Sequence, residues 1–263
     1  MELNIEVCRF IAVRYGLPLQ FVVKEFHLMN VLGQIAEFVS SRQNLLVFKG
    51  GTALNKVYLQ KMQRFSEDAD FDLVTRTAKK DLLKFCKELA YHIEGYEIEE
   101  FRRVGGTMQF YCTYENPLGG KDHVRIDVAP KKLITSKRVE SRTAVSEFTQ
   151  ASVSGIIIYS IEDLTARKLN ALAERAEGKD VYDVNAALPL CSTATLRVAI
   201  ERMLESEGAK ETVPSFMEKV LRSLEKADSK KLRNLTNPFI PVAYRPRSWE
   251  ELKNNLLLKL ESL

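Results

Sequence analysis

Cysteine and histidine are scarce in this chain of 263 residues, and neither is clustered. Cys8, Cys86, Cys112 and Cys191 lie far apart, without the paired spacing of a zinc site or a redox motif, so reduced thiols are expected. His27, His92 and His123 form no HExxH or comparable group, which argues against transition-metal hydrolysis. Long hydrophobic runs are missing too. The apolar stretches at Leu45 to Phe48 and Gly155 to Tyr159 fall far below the roughly 20 residues of a membrane span. Glu2, Glu6 and Arg9 interrupt the N-terminal apolar residues, which lack the layout of a signal peptide. A cytoplasmic protein without membrane association is expected. No internal repeat or low-complexity tract is visible.

What is present fits a folded protein. Hydrophobic residues make up 45% and charged residues 28%, ordinary for a globular chain. The length suits two modest domains, each with its own core. Val22, Val23, Phe26, Met29, Leu32, Ile35 and Phe38 recur at helical steps, so the chain up to about Arg42 reads as helical. A strand at Leu45 to Phe48, a helix at Thr52 to Met62, an acidic strand at Ala69 to Val74 and an amphipathic helix at Thr77 to His92 follow. Short strands near Glu97 to Arg102, Met108 to Tyr114 and His123 to Val128 are separated by Gly105-Gly106 and Asn116 to Gly120, which suggests antiparallel pairing. After a strand at Gly155 to Tyr159 the pattern becomes almost wholly helical. The expected division is 1–159, a core with N-terminal helices, and 160–263, a helical domain completing the site.

The segment richest in chemistry is Phe48-Lys49-Gly50-Gly51-Thr52-Ala53-Leu54, followed by Asp68-Ala69-Asp70. Glycines between a strand and a helix let backbone N–H groups approach a phosphate, and a helix N-terminus favours negative charge. Asp68 and Asp70, two apart on a strand, share a face, while Ala69, Phe71 and Leu73 supply the other. Two oxygen-ligand carboxylates beside a phosphate cradle suit Mg²⁺. Asp127, in Val124-Arg125-Ile126-Asp127-Val128, is the best third carboxylate, and Asp72 is read as outlying or exposed. Arg64 and Ser66, just before the acidic strand, either contact phosphate or brace the loop. Net charge is only +4, but seven Lys/Arg lie between Lys121 and Arg142, a cluster able to attract phosphates or to form a solvated loop face.

Lys49 to Leu54 with Arg64 to Phe71 is similar to the opening motif of the AbiEii/AbiGii-type nucleotidyltransferase toxins, which include the MenT proteins. Glu162 to Leu172 with Arg175, then Lys179-Asp180-Val181-Tyr182-Asp183, resembles the later lysine and aspartate motifs of that family. Ala69 stands where the family often has Ile, and the last 70 or so residues show no clear match. The resemblance implies an α+β fold: a DNA polymerase β-like nucleotidyltransferase core with a mixed sheet, followed by a helical C-terminal domain. It also implies NTP and Mg²⁺ as substrate and cofactor, and a role in type IV toxin–antitoxin or phage-abortive systems with a possible cognate antitoxin. Some members add nucleotides to tRNA acceptor ends.

On this basis Asp68, Asp70 and Asp127 are expected to hold the metal and Gly50, Gly51 and Thr52 to receive the nucleotide. The resemblance assigns Lys168 to the triphosphate. Lys168 and Arg175, seven apart on a helix, lie within about 20° of each other on its surface, a basic edge that is solvated or functional. Asp180 either joins the nucleotide site or caps the next helix, a cap worth about 1 kcal/mol. In the family reading Asp183 orients Lys168 or the nucleotide. The expected reaction is Mg²⁺-dependent nucleotide transfer from NTP to RNA, with the tRNA acceptor end foremost. Transfer to a protein or small molecule, nuclease action, and a non-catalytic regulatory protein of the same fold are the competing expectations.

Overall fold

In the computed structural model, which describes residues 3–42, 45–74 and 80–263, the strands are β1 (Leu45–Lys49), β2 (Asp68–Val74), β3 (Glu97–Val104), β4 (Thr107–Glu115), β5 (Lys121–Lys131), β6 (Glu140–Val145) and β7 (Ser152–Ile158). They form one sheet in the order β3-β4-β5-β2-β1-β7-β6. The β1/β7 and β2/β5 pairs are parallel and the rest antiparallel, so the sheet is mixed. The β3–β4–β5 meander follows from its turns: in the second, the Asn116 carboxamide accepts the Leu118 N–H at 2.9 Å and the Gly119 N–H reaches the Asn116 carbonyl at 2.8 Å.

The chain divides into two compact units, Met1–Lys132 with Glu140–Ile158, and Leu133–Val139 with Tyr159–Leu263. In the first, α1 (Ile5–Tyr15) packs on α2 (Leu19–Ser40), and α2 lies on β2, β5 and β7. The apolar stripe that predicts α2 is what it buries: Val22, Val23, Leu28, Val31, Leu32 and Ile35 are all inaccessible. Its residues Leu32 and Ile35 line the same apolar space as Leu46 and Phe71 of the sheet. A further helix, Lys80–His92, packs on α2, β4 and β5 through Leu82, Phe85, Cys86 and Leu89; the expected start of this helix at Thr77 lies outside the described residues.

The segment after β1 departs from expectation. Instead of one regular helix at Thr52 to Met62 there is a short α3 (Gly50–Leu54), a π-turn over Asn55–Leu59 and a 3₁₀ turn over Gln60–Met62. Buried Asn55 accounts for part of this. Its amide donates to the Gly51 carbonyl at 2.9 Å while its oxygen accepts the Arg64 N–H at 2.9 Å, so a side chain ties this turn to the loop before β2.

Numbering Lys80–His92 as α4, the second unit contains α5 (Ile161–Glu174), α6 (Gly178–Ala187), α7 (Thr193–Glu207), α8 (Val213–Glu225), α9 (Ser229–Thr236) and α10 (Trp249–Glu261). Helix α5 is its centre, packing on α6, α7 and α8. Leu169, Leu172, Val181, Ile200, Phe216, Val220 and Leu256 share one core. Ser160 caps α5 by accepting the Asp163 N–H at 3.1 Å, which fixes where the helix begins. The segment Leu133–Val139 belongs to this unit: the Ser136 N–H reaches the Asp163 carboxylate at 2.8 Å and Lys137 pairs with Glu162 at 2.8 Å.

Candidate active site

The parallel ladder between β2 and β5 sets Asp68 beside Arg125 and Asp70 beside Asp127. On the other flank the antiparallel β1 places Lys49 opposite Asp70. Because side chains alternate, Asp68, Asp70 and Asp72 occupy the sheet face opposite Phe71, which packs toward α2. The three carboxylates expected to act together thus lie on adjacent strands of one sheet.

The glycine turn is fitted to them. Gly50 has φ +78°, and a Cβ built on it would stand 3.1 Å from the Asp70 Cγ and closer still to its Oδ2, so the missing side chain is what admits the Asp70 carboxylate. Thr52 is buried, and its hydroxyl donates to the Asp68 carbonyl at 2.5 Å, bracing α3 against β2. Arg64 and Ser66 are likewise buried. Arg64 donates to the Phe65 carbonyl at 2.9 Å and contacts the Ser66 hydroxyl at 3.4 Å, which makes the pair a brace of the loop.

Burial, and then crowding of like charge, raises the carboxyl pKa values of Asp70 and Asp127. Burial, then the charges of Asp68 and Asp127, push the Asp70 carboxyl up to about 7, against the opposing pull of Lys49 and Arg125. Burial also raises Asp127, with Arg125 opposing. The Asp127 Oδ1 is buried without a hydrogen-bond partner. Asp72 is a correction: it is fully buried and paired with Lys49 at 2.6 Å, because β2 continues into the sheet interior past the site. Lys49 and Arg125 are the charged residues that motif reasoning left out of the site. The available signal was positional, since Arg125 precedes Asp127 by two and so shares its face, while Lys49 ends β1 beside the glycine turn.

In the second unit the other expected residues form a buried network. The Lys168 ammonium lies 2.8 Å from Asp180 and 2.9 Å from Asp183, both fully buried, and the Arg175 Nε donates to Asp180 at 3.0 Å. Helix α6 begins at Gly178 with Glu177 in the cap position, so Asp180 sits within the first turn and its carboxylate serves Lys168 and Arg175 rather than the helix end. The basic edge expected at Lys168 is therefore an interior ion-pair cluster. The basic stretch from Lys121 to Arg142 is also largely neutralised: Lys121 pairs with Glu97, Arg125 with Asp68, Lys137 with Glu162 and Arg142 with Glu140. Exposed Lys132 and Arg138 make no ion pair among the described residues.

A glycine turn entering a short helix, carboxylates on neighbouring strands and this mixed sheet define a nucleotidyltransferase fold. Residues 35–259 match the family described as nucleotidyl transferase AbiEii toxin, type IV TA system, and the chain belongs to that family of enzymes. Solved structures that share its fold include the following two. MenT4, a nucleotidyltransferase toxin of Mycobacterium tuberculosis H37Rv, is similar at 17% identity and a TM-score of 0.72, over 100% of this chain and 91% of that one. JHP933 from Helicobacter pylori is similar at 17% identity and a TM-score of 0.54, over 94% of this chain and 92% of that one. No curated protein matches the chain. No helix among the described residues is long and apolar enough to cross a membrane.

Proposed function

We propose that this nucleotidyltransferase is Mg²⁺-dependent and transfers a nucleotide from NTP to RNA, with the tRNA acceptor end as its acceptor, in the cytoplasm and under the control of a cognate antitoxin. The observation that carries the metal assignment is the site's own unmet demand for positive charge. Asp68, Asp70 and Asp127 offer hard oxygen donors on adjacent strands, burial and then the charges of Asp68 and Asp127 push the Asp70 carboxyl up to about 7, and Asp127 Oδ1 is buried without a hydrogen-bond partner. These residues would hold the ion, which supplies charge neutralisation for phosphoryl-type transfer. The missing side chain of Gly50 makes room for the Asp70 carboxylate, the backbone N–H groups of Gly50 and Gly51 would receive a phosphate, Thr52 braces the turn, and Arg64 with Ser66 braces the loop before β2. In the second unit, from about residue 160, Lys168 is the nucleotide's counter-charge, positioned by Asp180 and Asp183 with Arg175 beside them.

The test is to incubate the protein with each α-labelled NTP and total RNA, with and without Mg²⁺. Label is expected in the tRNA fraction, only with the metal and not with a folded Asp68→Ala/Asp70→Ala variant. Label on protein or a small molecule would overturn the acceptor assignment. Transfer by the double variant would overturn the site.

A further inference from the structure

Arg125 stands where the metal's positive charge is needed. It lies beside Asp68 in the ladder and two residues before Asp127, on the same face of the sheet. Its Nη2 pairs with the Asp68 Oδ2, and its Nε lies 3.4 Å from the Asp127 Oδ2. One guanidinium thus touches two of the three carboxylates assigned to the ion. With the side chains so placed, no three carboxylate, histidine or cysteine side chains among the described residues are arranged to hold a metal.

The substitution is imperfect in a way that keeps it reversible. Arg125 Nε is buried without a hydrogen bond, and so is Asp127 Oδ1, so the pair leaves a donor and an acceptor unmet. The Arg125 side chain is 40% exposed, which leaves it room to depart. A divalent ion can draw both carboxylates at once, whereas the planar fork satisfies Asp68 well and Asp127 poorly. From this we infer that Arg125 is a resident counter-ion of the metal site, which the divalent ion must displace before it is held.

The inference rests on the metal assignment above. It makes Arg125 a positioning residue that acts through Asp68 and Asp127 by lowering the population of the metal-ready arrangement. Apparent affinity falls by that fraction, so removing the guanidinium should strengthen metal binding, the opposite of what loss of a merely structural residue does.

Mn²⁺ binding without nucleotide, followed by electron paramagnetic resonance, provides the test. Arg125→Gln is expected to tighten Mn²⁺ binding about tenfold, which corresponds to about 1.4 kcal/mol, and Arg125→Lys to fall between it and wild type. In the wild type, a Mg²⁺ titration should shift the Arg125 Nε–Hε resonance as its carboxylate partners are withdrawn. Equal or weaker Mn²⁺ binding by a folded Arg125→Gln protein, with wild type binding normally, overturns this inference and leaves the metal assignment standing. If neither protein binds Mn²⁺, both fall. Should Arg125→Gln fail to fold, the wild-type resonance decides: no movement on saturation with Mg²⁺ overturns the inference.

Discussion

Replacing Gly50 with Ala tests whether the glycine turn is shaped around Asp70. Two costs can be read from the structure. The first is conformational, because an L side chain at φ +78° carries a penalty of roughly 1–2 kcal/mol. The second is steric. The new Cβ would meet Asp70 at 3.1 Å from Cγ and 3.2 Å from Cβ, with Oδ2 nearer still, so the carboxylate must leave its rotamer at about 0.5–1.5 kcal/mol. Against these, alanine reduces the entropy of the unfolded chain and returns about 0.4–1 kcal/mol. The net loss is about 2 kcal/mol, which moves a urea midpoint by roughly 1 M at a slope near 2 kcal/mol/M.

Activity should suffer more than stability. A carboxylate pushed about 1 Å from its place loses on the order of 10²-fold in rate. Gly105→Ala is the control, because Gly105 also has positive φ (+55°) but its Cβ would meet nothing within 4 Å. It should pay the conformational cost and keep full nucleotide transfer. If Gly50→Ala unfolds at the wild-type urea midpoint and transfers nucleotide at the wild-type rate, the fit between the turn and Asp70 is refuted. If the two alanine variants lose activity equally, the loss belongs to backbone strain and not to Asp70.

Lys168→Met should destabilise the protein by about 3–5 kcal/mol, because Asp180 and Asp183 would remain buried with the charge between them removed. Urea unfolding measures this, and an unchanged midpoint would show that the cluster does not depend on the ammonium; any loss of transfer in such a variant has to be judged on protein shown to be folded. His27, stacked on Tyr114 and bonded to the Tyr96 hydroxyl at 3.1 Å, has its pKa shifted down to about 4, mainly by burial, although Asp122 pulls the other way. Between pH 6.5 and about 4 the unfolded chain therefore binds more protons at this residue, so the folded state loses stability as pH falls through that window. With the partial exposure of the ring discounted, the loss is about 1–2 kcal/mol by pH 4. His27→Gln should narrow the gap between unfolding free energies at pH 4.5 and 7.5, and an unchanged gap would remove His27 as the cause.

Local pattern made the sheet legible wherever a strand had one buried face. Asp68-Ala69-Asp70-Phe71 alternates so cleanly that the shared face of the carboxylates follows from the period alone, and Val124-Arg125-Ile126-Asp127 does the same. The strand Glu140–Val145 gave no such signal, because Glu140 to Thr143 are all exposed and only Ala144 is fully buried. The break from α-helix to π-turn after Leu54 was hidden for a different reason. It is tied to Asn55, whose partner Arg64 is nine residues away and whose side chain looks like any polar residue in a helix. Lys168 illustrates the general limit. At helical spacing it reads as the edge of an amphipathic surface, and what makes it interior is the return of α6, which brings Asp180 and Asp183 back over α5. A charge is legible as buried only together with the carboxylates that neutralise it, and those are fixed by tertiary packing, not by the period of the helix that carries the lysine.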